Sequence, residues 1–117
     1  MRSILITGST RGLGLNHVYY LSKEGYNIAL VDLSESACSV YGEVSSIKKL
    51  LEELNSTGTK NAFYKCDLTD YKATKMTFNK IFKDFKELHG CVFNAGGDVA
   101  GNSKKADGGK PKNNNLD

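Results

Sequence analysis

Thr7-Gly8-Ser9-Thr10-Arg11-Gly12-Leu13-Gly14 is the stretch on which the reading of this chain turns. Before it runs Ser3-Ile4-Leu5-Ile6-Thr7, a short β-favouring segment. After it comes a helical stretch reaching Lys23-Glu24-Gly25, where Gly25 suits the residue just past a helix end. A strand, a glycine loop and a helix are therefore expected in succession. The opening turn of a helix carries unpaired N–H groups and a partial positive charge, so it attracts phosphate. Glycines there let the backbone turn tightly and approach a pyrophosphate with no Cβ in the way. The spacing is G-x-x-x-G-x-G rather than G-x-G-x-x-G, and by itself it also fits a plain turn.

Further along, Asn27-Ile28-Ala29-Leu30-Val31-Asp32 is almost continuously apolar, as a strand covered on both faces should be. Val40, Val44, Ile47, Leu50, Leu51 and Leu54 recur at steps of three and four, which predicts a helix ended by Asn55-Ser56-Thr57-Gly58. Residues 62–66 read as a third strand closed by Asp67-Leu68-Thr69-Asp70. The stripe Phe78, Ile81, Phe82, Phe85 and Leu88 predicts a third helix, followed by Gly90. Cys91-Val92-Phe93 reads as a fourth strand ended by Asn94-Ala95-Gly96-Gly97. Strands alternating with helices in this way define an α/β chain with a parallel sheet and helices on both faces. Residues 1–97 are expected to form the folded part, and 98–117, polar and without apolar periodicity, a loop or frayed tail.

At 117 residues the chain has room for one domain. No apolar run approaches the roughly 20 residues that span a bilayer, and the opening residues lack the features of a signal peptide. Cys38, Cys66 and Cys91 are odd in number and form no C-x-x-C pair, which fits a reducing cytoplasm and three small buried apolar residues rather than a disulfide or a zinc site. The net charge of +3 is spread along the chain without a basic stripe, so nucleic acid is not an expected partner. His17 and His89 have no second ligand at metal spacing.

Asp32 sharpens the glycine loop. It ends the second strand, 18 residues after Gly14, where a carboxylate can accept hydrogen bonds from the hydroxyls of an adenosine ribose. A 2′-phosphate there would meet a like charge, a repulsion of a few kcal/mol at about 4 Å and an effective dielectric near 20. Asp32 thus favours NAD. Arg11 points the other way, since a guanidinium pairs with phosphate, but Asp32 stands at the ribose itself and decides for NAD over NADP.

T-G-S-T-R-G-L-G after the first strand, Asp32 after the second, C-D-L-T-D after the third and F-N-A-G after the fourth occur in the order found in the short-chain dehydrogenase/reductase family, which this sequence resembles over residues 2–97. The resemblance implies a Rossmann-type, doubly wound sheet of about four strands in the order 3-2-1-4. It also implies NAD(P)-dependent hydride transfer between a carbonyl and an alcohol. Gly8, Ser9, Arg11, Gly12, Leu13 and Gly14 would lie at the pyrophosphate, Asp32 and Leu33 at the adenine ribose, and Asp67 with Leu68 at the adenine. Asn94, Ala95 and Gly96 would lie beside the nicotinamide ribose. Phe93 stands where the family commonly has the first Asn of N-N-A-G.

The family's catalytic Tyr-x-x-x-Lys and its Ser follow the N-A-G strand, and only 20 residues follow Gly97 here, so no catalytic residue is assigned and the 117-residue chain alone is expected to be inactive. Tyr71–Lys75 and Tyr19–Lys23 imitate the pair. In a 3-2-1-4 sheet, however, Tyr71 would lie some three strand spacings, roughly 14 Å, from the reacting end, and proton transfer needs about 3 Å. The fourth strand, lacking an outer neighbour, is expected to self-associate through residues 91–94. Two rival expectations remain: a non-catalytic dinucleotide-binding remnant, and a flavodoxin-like nucleotide-binding domain.

Overall fold

The computed structural model describes residues 2–33 and 46–95. Val40, Val44, Cys38, Gly96, Gly97 and the expected tail 98–117 lie outside them. The elements are β1 (Ser3–Thr7), α1 (Gly12–Lys23), β2 (Asn27–Asp32), α2 (Ile47–Asn55), β3 (Asn61–Lys65), α3 (Tyr71–Phe85) and β4 (Gly90–Phe93). The strands form one parallel sheet in the order β3-β2-β1-β4, with Thr7 in register with Val31 on one side and Phe93 on the other.

Strand alternation divides the core in two. Ile6, Ile28 and Leu30 face α1 and α2 and pack against Leu15, Val18, Leu50 and Leu54. Leu5, Ala29, Val31 and Tyr64 face the other way, against Ile81 and Phe85 of α3. Strand order accounts for this: β1 to β3 step one way across the sheet and β3 to β4 steps back, so a constant crossover hand places α3 on the opposite face.

Local chemistry sets the helix ends. Ser46 Oγ accepts from the Lys49 N–H at 3.1 Å and starts α2; Asp70 Oδ1 does the same for α3 with Ala73, at 3.0 Å. Gly25, at φ +95°, terminates α1 as expected. The end of α3 differs from expectation. It stops at Phe85 because Lys86 turns into the left-handed region at φ 64°, so Leu88 lies beyond the helix and Gly90 opens β4 instead of closing α3.

Cysteine burial is also corrected. Cys66 is buried and Cys91 exposed, because Cys91 and Phe93 point to the α3 side of an edge strand where no described segment covers them. His89 serves the fold. Its backbone N–H donates to the Ser3 carbonyl at 2.7 Å, and its Nδ1 accepts from the Ser3 N–H at 3.0 Å, fastening the start of β4 to β1. Among the described residues no helix is long and apolar enough to cross a membrane, and no three His, Cys, Asp or Glu side chains gather as a metal site.

Candidate functional site

The C-terminal ends of the parallel strands bring together the loop 8–14, Asp32, Leu33, Asp67, Leu68, Asn94 and Ala95; Gly96 lies outside the described residues. This edge is where open α/β sheets hold ligands, at the point where strand order reverses. Here the reversal falls at β1, between β2 and β4.

Two glycines make the loop possible. Gly8 has φ +64°, and a Cβ on it would stand 2.9 Å from Ala95 Cα. On Gly14 a Cβ would stand 1.9 Å from the Gly8 carbonyl oxygen and 2.8 Å from Asn94 Nδ2, so only glycine lets α1 start this close beneath the loop. Gly12 has open space where its Cβ would be, but its φ of +58° is itself a conformation that favours glycine.

The loop's own amides are largely turned inward. The Gly8 N–H donates to the Val31 carbonyl at 2.8 Å, that of Ser9 to the same oxygen at 3.4 Å, and that of Thr10 to Asp32 Oδ2 at 3.0 Å. The first backbone bond of α1 is donated by Leu15 to the Arg11 carbonyl. The N–H groups of Leu13 and Gly14 precede it, at the positive end of the helix dipole. The amides at the helix start, rather than those in the first half of the loop, are therefore the ones not turned to Val31 or Asp32.

Asp32 is buried, at 9 % exposure, and its carboxylate is turned under the loop. Oδ2 accepts from the Thr10 N–H and, at 2.6 Å, from Thr10 Oγ1; Oδ1 accepts from the Leu33 N–H at 2.7 Å. Leu33 and Leu13 are largely exposed and flank this edge with apolar surface. Asp67 is exposed, and its Oδ1 accepts from both the hydroxyl and the N–H of Thr69. These two bonds stabilise the anion and hold its pKa below the ordinary value of 3.8, the side-chain bond contributing more.

Two threonines belong to this arrangement and went unread in the sequence. Thr7 Oγ1 accepts from the N–H groups of Asn94, at 2.9 Å, and Ala95, at 3.0 Å, while Asn94 Nδ2 donates to the Gly8 carbonyl. Thr10 is completely buried and holds Asp32. A threonine at a strand end, followed by a threonine within a glycine loop, was the available signal. The imitation pairs stay apart from the site. Tyr71 is exposed at the start of α3, which leaves β3, the strand farthest from β4. The Tyr19 hydroxyl reaches Glu53 of α2 at 3.5 Å.

A parallel 3-2-1-4 sheet with a glycine loop between β1 and α1 and an acid at the end of β2 is the Rossmann-type fold, in the form built to hold a dinucleotide. The chain belongs to the short-chain dehydrogenase family, whose model matches residues 2–112. It is similar to the 3-oxoacyl-[acyl-carrier-protein] reductase FabG of Staphylococcus aureus (strain N315), 26 % identical over 95 residues that make up 81 % of this chain and 35 % of that protein. The 3beta-hydroxysteroid dehydrogenase of Mediterraneibacter gnavus is 31 % identical over 101 residues, 86 % of this chain and 33 % of that one. Among solved structures, NAD+-bound xylitol dehydrogenase superposes with a TM-score of 0.70 at 27 % identity, over 83 % of this chain and 34 % of that one. The chain spans about a third of the length of the relatives it matches.

Proposed function

We propose that this chain is the cofactor-binding part of an NAD-dependent short-chain dehydrogenase that interconverts a carbonyl and an alcohol. The observation that carries the reading is the junction of the helix-α1 amides with the Asp32 carboxylate at the strand-order reversal. The cradle fits a dinucleotide: a Cβ on Gly14 would collide with the Gly8 carbonyl, so glycine lets α1 begin directly beneath the loop and brings its first amides to the strand ends. When bound, the nicotinamide supplies hydride acceptance and donation. Binding and orientation fall to this chain's residues.

Leu13 and Gly14 offer N–H donors to the diphosphate. Asp32 accepts from the adenosine ribose and repels a 2′-phosphate, which favours NAD over NADP. Leu33 and Leu68 give the adenine an apolar wall, with Asp67 as acceptor for its amino group. Asn94 and Ala95, tied to β1 through Thr7, and Gly96 would lie beside the nicotinamide ribose. Ser9, Arg11 and Gly12 complete the loop. None of these residues is placed as a proton donor to substrate, so the chain by itself binds cofactor without turning over. The exposed edge of β4 would pair with further chain or with a second copy.

Calorimetric titration with NAD and NADP tests the reading. Saturable heat with NAD and a weaker response to NADP are expected. Heat with neither dinucleotide refutes it. The resemblance of the NAD+-bound xylitol dehydrogenase supports the cofactor class.

A further inference from the structure

We propose that Thr10 is a positioning residue that sets cofactor selectivity through Asp32, an inference that rests on the dinucleotide reading above. A carboxylate has about four lone-pair positions for hydrogen bonds. Among the described residues three are filled on Asp32: two on Oδ2 by the N–H and Oγ1 of Thr10, and one on Oδ1 by the Leu33 N–H. Oδ2 is therefore complete and faces a residue with no exposure at all. Oδ1 lies on the side of the exposed Leu33.

Asp32 is thereby held in one orientation, with Oδ2 under the loop and its negative charge fixed in place. That orientation depends on Thr10, because the terminal torsion of an aspartate is soft and broad. Without the Oγ1 donor, Oδ2 would be left partly unpartnered in a buried position. The carboxylate would then swing toward solvent, and its charge would no longer be held against the 2′ position. Thr10 thus acts on selectivity without touching the cofactor itself.

The test compares Kd for NAD and for NADP in the full chain carrying Thr10→Val, Thr10→Ala and Thr10→Ser, with folding checked by circular dichroism. Both Thr10→Val and Thr10→Ala should lower the preference for NAD over NADP by roughly tenfold, the worth of one hydrogen bond to a charged group. Thr10→Ser, which keeps the hydroxyl, should restore it. A loop that merely loosened would weaken both cofactors alike and leave the ratio unchanged. An unchanged ratio in folded Val and Ala variants of a chain that selects NAD overturns this inference and leaves the dinucleotide site standing. A wild-type chain that binds neither cofactor overturns both.

Discussion

Strands β2 and β4 are both parallel and both apolar in sequence, yet they live in different surroundings. From Ile28 to Asp32 every residue of β2 is buried, with a strand on each edge and helices on both faces. In β4 no residue is buried and exposure alternates, with Phe93 at 71 %. Apolar character in a strand therefore reports what the finished domain surrounds it with, and β4 carries the composition of an interior strand while standing at an edge.

Truncation in the two strands should separate them most sharply. Leu30→Ala, at a position with no exposure, should cost about 2–5 kcal/mol in denaturant unfolding, as buried leucines do. Val92→Ala, on a half-buried position, should cost under about 1.5 kcal/mol. Equal losses would break the contrast. Gly14→Ala comes next: the added Cβ must displace the Gly8 carbonyl, so a loss of roughly 1–3 kcal/mol should accompany loss of NAD affinity in the same titration.

A third test uses pH. Tyr64 donates to Asp84 Oδ2 at 2.7 Å. Burial, then that bond and the charge of Asp84, push its phenol well above the ordinary value of 10.0. Because the folded-state value is raised, the contribution to stability is complete below about pH 10 and is lost as pH rises beyond it, where the unfolded chain ionises first. Tyr64→Phe should therefore flatten the fall in stability above pH 10 in thermal unfolding scans. Phe93→Ser should be the mildest change, within about 0.5 kcal/mol in stability, while reducing self-association in sedimentation. If Phe93→Ser leaves sedimentation unchanged in a chain that does associate, the contact lies elsewhere than the β4 edge.

Strand positions were legible because an apolar run bounded by glycine or asparagine is a local signal: β1 and β2 fall where the residues placed them, and β3 differs by one residue at each end. Polar contacts were not legible. Asp32 was readable as a strand-end acid, but its inward turn depends on Thr10, 22 residues away, and Thr7 binds Asn94 across 87 positions. The threonines themselves stand in view in the sequence, but the partners they bind do not. Cys91 shows the same limit from the other side. Its residue type favours burial, and only the absence of a neighbouring strand among the described residues decides otherwise. Lys86 is similar, since nothing in its side chain announces a left-handed turn.

The place of β1 in the sheet bears on how the chain is made. Its partner on one side, β2, is complete by Asp32, but its partner on the other, β4, begins only at Gly90. At ribosomal speeds of about 5–20 residues per second, β1 waits roughly 3–12 s with one edge bare. The nascent chain thus leaves bare for seconds the strand that later joins the two halves of the sheet, and a chaperone acting during synthesis would find a target there.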